Sequence, residues 1–311
     1  MKGTSAGRIA LMRTIQKIRT DMATHFKLKR ARTHLRIIGN SLGIKSNFLY
    51  FSHHVYSQIF SRNIKLLDKD AYRVDKLKKE GVITIPGIDV DSASKWVLDY
   101  FEKNPCPSGQ GTVRRKEAGI LAPHVYEMLL QIEPFLDMYF KSHFQCFLIN
   151  IDHMEAGFSP KAESSSSYHL DDNPRQLMKV FFYLNDTYEQ NAAFRAFNYE
   201  TTKALIRKGF ISLTPELRVS SQKFITPSLE KENLRLMEGP KGTALIFDNN
   251  IIHKGTPPKV GYRNVIIVEV LPSPKRFTLE SIFEGLTKDL SRDFPDSPFS
   301  KEDGRTFLSI F

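Results

Sequence analysis

The sequence predicts a mostly β protein, a sandwich or jelly roll with helices packed on one sheet, and three observations predict it. Four short segments in the C-terminal half, Phe144–Asp152, Leu177–Leu184, Thr243–Phe247 and Val265–Leu271, are β-branched or aromatic and separated by turn chemistry. Ahead of them, Val125, Met128, Leu129, Ile132, Phe135, Leu136 and Tyr139 recur every three or four residues, which predicts a helix over His124–Phe140. The chain of 311 residues is 41% hydrophobic, enough to bury a core that such layers can share.

Element by element, the chain opens on a basic stretch. Residues 1–50 hold eleven Lys/Arg and one acid, Asp21, a sum of +10 out of the whole chain's +11, so the other 261 residues carry only +1. Ile9, Leu11, Met12, Ile15, Ile18 and Met22 among Arg8, Arg13, Lys17 and Arg19 fit a basic amphipathic helix. Three readings stay open for it: a solvated helix packed on the main domain, a contact through residues 1–40 with an anionic membrane surface or a protein, and an organelle transit peptide. No nucleic-acid partner is expected, because the body of the protein is close to neutral.

Residues 1–75 are read as a basic, mainly helical extension and 76–311 as the main, β-rich domain. The charged run before Gly81 gives way to a β-branched strand, Val82-Ile-Thr-Ile-Pro86, marking the entry to that domain. Ser92–Lys103 reads as a helix with Ser92 or Ser94 near its N-cap, and Pro105–Gly111 as a loop. Tyr199–Lys208 reads as a helix, and Leu213–Glu238 as a polar lid or insertion. No uninterrupted apolar run approaches the ~20 residues of a spanning helix. Two cysteines, Cys106 and Cys146, make no disulfide framework, and a reducing, cytoplasmic setting is expected.

The chemistry concentrates in a few polar residues on these strands. In Tyr168-His-Leu-Asp171, residues i and i+2 of an extended chain point to one face, so His169 and Asp171 can share a ligand. Another histidine, His253, is placed at the end of an apolar strand, Ala244-Leu-Ile-Phe-Asp-Asn-Asn-Ile-Ile-His253. Two histidines and a carboxylate suffice for a facial triad, which leaves open positions on Fe(II). Ten residues on, after a Pro/Gly-rich turn, Arg263 begins the next strand, where its planar guanidinium could pair with a carboxylate. Lys179, Phe181 and Tyr183 share one face of their strand. A buried lysine is costly unless paired, so Lys179 is either solvent-facing or a partner for an anion. Of Asp152 and His153, only one can face the site. His53–His54 and His124 are weaker candidates, because neighbours on a helix do not share a ligand and His124 sits at a helix start.

A lone His-x-Asp is commonplace, and the bland alternative is a jelly roll with satisfied polar residues; the weight lies in the order of the four residues. No P-loop, dinucleotide fingerprint or paired Cys-x-x-Cys occurs, and the serines at 164–167 lack the glycines of a nucleophile elbow.

These residues resemble the phytanoyl-CoA dioxygenase-like branch of the Fe(II)/2-oxoglutarate oxygenases. The likeness spans about Lys79 to Pro272 and lies in the entry strand, Tyr168-His-Leu-Asp171, Leu177-Met-Lys-Val-Phe-Phe-Tyr-Leu-Asn-Asp186 and Gly242-Thr-Ala-Leu-Ile-Phe-Asp248 leading to His253. The resemblance implies a double-stranded β-helix, cupin-like, with iron on His169, Asp171 and His253. It implies 2-oxoglutarate on Arg263, with Asn150 loosely matching a position near the co-substrate; Lys179, from its place on the strand and not from the resemblance, is a further candidate for that anion. The other implied cofactors are O2 and, as a reductant, ascorbate. The retained carboxylate, Asp171, implies a hydroxylase and not a halogenase, decarboxylating 2-oxoglutarate to succinate while oxidising a C–H bond of a small-molecule, metabolite or lipid-like substrate. Gln190–Tyr199 departs from the family's pattern at the substrate mouth, so no particular family substrate follows. A non-catalytic metal-binding sensor or interaction module is the alternative, joined to a surface through the basic N-terminus.

Overall fold

A computed structural model describes residues 68–287 apart from 114, 162–163, 172–176, 213–214 and 274. The expected N-terminal amphipathic helix, His53–His54 and Asp172 lie outside the described residues. Among the described residues, no helix is long and apolar enough to cross a membrane.

Helix α1 (Asp68–Glu80) buries Val74 and Leu77 and turns at Gly81 (φ +81°) into β1 (Val82–Ile85), so position 75 falls inside a helix. Helix α2 (Asp91–Lys103) buries Ala93, Val97 and Phe101. Neither expected serine caps it. The Asp91 N–H donates to Asp89 Oδ1 at 3.1 Å, while Ser94, already inside the first turn, spends its hydroxyl on the Leu184 carbonyl at 2.6 Å. Strand β2 (Gln110–Thr112) and the short α3 (Arg115–Ala118) lead to α4 (Ala122–Phe140), where the periodic residues are buried as the 3.6-residue repeat requires, except Tyr139, which is partly buried.

The remaining strands are β3 (His143–Glu155), β4 (Met178–Tyr183), β5 (Phe194–Phe197), β6 (Leu234–Met237), β7 (Ala244–Asp248), β8 (His253–Lys254) and β9 (Tyr262–Ser273). Helix α5 (Tyr199–Arg207) follows β5; α6 (Pro215–Ser221) and α7 (Pro227–Asn233) precede β6; α8 (Leu279–Thr287) follows β9. A six-stranded sheet runs β1-β7-β4-β9-β3-β2 and a three-stranded one β6-β5-β8, every pair antiparallel, with His169 bridged to β8 as a further rung of the small sheet. From β3 onward the chain passes to the His169 rung, back to β4, across to β5 and β6, back to β7, across to β8 and back to β9. That alternation is a double-stranded β-helix, the jelly-roll class expected.

Directly opposed residues share a face, so the register sorts the large sheet into two surfaces. Val180, Phe182, Ile246, Ile266, Val268, Ile149 and Ile151 face the helical layer and join Val125, Met128 and Leu129 in the main core. Phe181, Tyr183, Leu245, Phe247 and Val265 face the small sheet and pack on Phe194 and Ala196. Strand β3 keeps this order only through a bulge, where its register against β9 slips between Cys146 and Leu148. Before the bulge Phe144 faces the helices; after it Ile149 and Ile151 do, and Leu148, Asn150 and Asp152 turn to the lumen.

Candidate metal centre

Alternation also aims the motif. Tyr168 and Leu170 enter a cluster with Phe197, Leu205, Phe210 and Ile252, so His169 and Asp171 point the other way, into the lumen. The Tyr168 hydroxyl donates to Glu230 Oε1 at 2.6 Å, Lys254 Nζ lies 4.1 Å above its ring, and the Leu170 N–H donates to Ser212 Oγ at 2.7 Å. The motif is thus pinned from behind by the Leu213–Glu238 segment and its flank, which folds as α6, α7 and β6.

His253 is not at the end of the apolar strand. A turn at Asn249–Ile252 separates β7 from β8, and His253 belongs to the small sheet, opposite Ala196 and bridged to His169. This crossing brings it to His169: potential ligand atoms of His169, Asp171 and His253 all lie within 4.8 Å of one another. Nε2 of His169 is 3.2 Å from Asp171 Oδ1, and Nε2 of His253 is 3.4 Å from Oδ2.

The second ring nitrogens fix the tautomers. His169 Nδ1 lies 2.8 Å from the Ser167 carbonyl and His253 Nδ1 2.9 Å from that of Ile251. A carbonyl only accepts, so each Nδ1 carries a proton and donates it, and each Nε2, the nitrogen left to ligate a metal, is turned toward the carboxylate. Burial, then the neighbouring His253, lower the His169 pKa from 6.5 to about 4, so this ring is neutral at pH 7. Burial alone would raise the Asp171 pKa, but Lys179, His253 and the hydrogen bonds around it hold the carboxyl well below its usual range. Two ring nitrogens and a carboxylate therefore converge, and this donor set fits a divalent cation of the Fe(II) or Zn(II) type.

Lys179 faces the lumen, as the alternation predicts, and is taken up by the chain's own acids. It donates to Asp171 Oδ2 at 2.7 Å, and its Nζ lies 3.3 Å from Glu269 Oε1. Arg263, 6% exposed, lies on the same face of β9, with NH1 donating to the Ala192 carbonyl at 2.8 Å. Burial pulls its pKa down, with Tyr183 and Asp152 opposing that shift. Asn150 is on the lumen face of β3 opposite Ile267. Asp152 is also on that face, whereas His153 points away and stacks on Phe101 at 4.4 Å.

Several buried polar atoms around this lumen have no hydrogen-bond partner: Arg263 Nε, Glu269 Oε2 and both amide atoms of Asn249, whose residue is 0% exposed. Buried polar groups are ordinarily paired, so each of these atoms is available to a ligand or an ordered water. Two of these residues, and one further charge near the site, were not singled out in the sequence. Glu269 is a lone charge inside Val265-Ile-Ile-Val-Glu-Val-Leu271, the same signal that singles out Lys179. Asn249 follows an apolar strand with no distinguishing pattern. Arg218, on α6, adds a positive charge that helps lower His169, and its place among exposed polar residues gave no sign of that.

No protein-family model matches the chain, and no curated protein matches its sequence. Among solved structures it is similar to HygX from Streptomyces hygroscopicus with iron bound (12% identity, 68% of this chain and 88% of that one, TM-score 0.45). It is also similar to the non-heme alpha ketoglutarate dependent carbocyclase SnoK from nogalamycin biosynthesis (10%, 67% and 85%, 0.46) and to EctD from S. alaskensis with bound Fe (10%, 70% and 83%, 0.43).

Proposed function

We propose that the chain is an Fe(II)- and 2-oxoglutarate-dependent oxygenase that hydroxylates a C–H bond of a small molecule. The observation that carries this reading is the pair of Nδ1–H tautomers, which direct two Nε2 atoms and the Asp171 carboxylate at one point. His169, Asp171 and His253 would hold the metal on one face. When bound, iron would activate dioxygen, the oxidant, with 2-oxoglutarate as the sacrificial reductant: one oxygen atom would pass to succinate as carbon dioxide leaves, and the other to the hydroxylated C–H bond.

The chain's own residues supply position and charge. Arg263 offers a buried guanidinium whose Nε has no partner, suited to a carboxylate that reaches past the metal. Lys179 is already matched by Asp171 and Glu269, which leaves Arg263 as the cation for the co-substrate. Phe181, Phe194 and Phe247 pack around His253 and keep that side of the lumen apolar. Asp171, supplied by the chain itself, would occupy the position that halide transfer needs vacant, and this favours hydroxylation.

The test is an anaerobic titration of the Fe(II)-loaded protein with 2-oxoglutarate, following the weak visible band of a bidentate chelate. A saturable band that disappears in Arg263→Ala is expected. Bound iron with no band would favour a metal-binding module without turnover.

A further inference from the structure

We propose that Lys179 is a positioning residue: gripped between Asp171 and Glu269, it holds Oδ2 of Asp171 and so fixes the orientation of the carboxylate between His169 and His253. The inference rests on the metal site proposed above and concerns how that site is held.

The grip is built into the sheet. Lys179 and Glu269 are directly opposite on β4 and β9, so their side chains leave the backbone side by side on the lumen face. Lys179 Nζ reaches Asp171 Oδ2 at 2.7 Å and Glu269 Oε1 at 3.3 Å, and the three side chains are 17%, 15% and 8% exposed. A strand gives a steadier base for such a contact than a loop. Asp171, by contrast, lies two residues beyond the His169 bridge, outside any strand, with its N–H on the Asn249 carbonyl at 3.2 Å. Its side chain therefore takes its orientation from what it touches.

Charge explains why two residues are needed. Lys179 alone beside Asp171 would give a neutral pair, and a dication entering next to an ammonium would be repelled. Glu269 brings the group of three to −1, so the cation is met by net negative charge while the lysine still donates its hydrogen bond. Removing Lys179 raises the negative charge to −2. On charge alone, a metal should then bind more tightly; on positioning, it should bind more weakly, because the carboxylate is free to turn. The two accounts predict opposite signs.

The experiment is a Mn(II) titration of the full-length protein, counting free Mn(II) by electron paramagnetic resonance, with the visible spectrum of the Co(II) form as a second readout. Lys179→Met should weaken Mn(II) binding by about 10–100-fold, the range seen when an outer partner of a ligand is lost, and should change the Co(II) spectrum. The double variant Lys179→Met/Glu269→Met keeps the local sum at −1 and replaces the ion pair by apolar side chains that pack in its place. It should lose affinity similarly. Unchanged or tighter binding in both variants, with an unchanged Co(II) spectrum, would overturn the positioning role and leave the metal site standing. A wild-type protein that takes up no Mn(II) would overturn the metal site and this inference with it.

Discussion

His169 and His253 are each other's backbone partners: the His169 N–H donates to the His253 carbonyl at 2.9 Å, and the His253 N–H returns the bond at 3.0 Å. The spacing between the two rings, 4.4 Å between centroids, is thus set by a reciprocal main-chain pair that survives truncation of either side chain. Loss of a ring should therefore remove a candidate ligand without unfolding the sheet. His169→Ala and His253→Ala are each expected to lower metal affinity by more than the roughly 10–100-fold typical of outer partners, with far-ultraviolet circular dichroism unchanged. Isothermal titration with Mn(II) measures the first and the spectrum the second; wild-type affinity in His253→Ala would refute the assignment.

Arg263 spends one nitrogen on the Ala192 carbonyl and keeps Nε without a partner. Arg263→Lys retains a charge but not the planar fork. Losing a charge-assisted hydrogen bond costs about 1.5–3 kcal/mol, which is roughly a 10–100-fold rise in the 2-oxoglutarate concentration needed for half-maximal succinate formation. Metal affinity should stay within about 3-fold of wild type, since Arg263 is not among the converging ligands.

Acid should destabilise the metal-free protein through His169. Its pKa falls from 6.5 to about 4 on folding, because of burial first and His253 second. Between those values the unfolded chain binds a proton that the folded ring refuses, so stability falls as pH falls. The contribution is complete above pH ~6.5, is lost down to pH ~4 and does not change further below that, with a slope of at most about 1.4 kcal/mol per pH unit. Urea midpoints at pH 7, 5.5 and 4.5 should converge for wild type and His169→Gln as pH drops. Parallel lines would show that the ring does not carry this dependence.

Gly242 opens the motif that leads into β7, at φ +81°, with its carbonyl accepting from the Ile88 N–H at 2.8 Å. A Cβ there would meet the Ile88 carbonyl oxygen at 2.4 Å, a backbone atom that cannot swing aside. Strain and overpacking together make Gly242→Ala destabilising by about 2–4 kcal/mol, read as a fall of roughly 4–16 °C in Tm. Gly87→Ala, at φ +86° but with nothing near its Cβ, is the control and should cost less.

Periodicity made the architecture legible wherever one face of an element is buried. Helix α4 and strands β4, β7 and β9 follow from it to within a few residues. His-x-Asp was legible for the same reason, since i and i+2 share a face. His253 was misplaced because a four-residue turn with its own apolar pair, Ile251–Ile252, looks like a continued strand. In the fold that pair is buried, Ile251 toward the inter-sheet core and Ile252 behind the motif. The Ser94 cap failed because an Asx turn from Asp89 competes for the helix start. Arg218 could not be read from sequence, since its relation to Asp171 depends on how two short helices return over the motif.

The bulge in β3 acts as a phase shifter. In phase with Phe144, Asn150 and Asp152 would sit beneath the helices, Ile149 and Ile151 would line the lumen, and Arg263 would lose the acid whose charge supports its own. The polarity of the cavity wall is thus a matter of counting as much as of composition. An indel of one residue near position 147 would not shorten this strand but turn half of it inside out, exchanging a wet wall for a dry one without altering a single side chain.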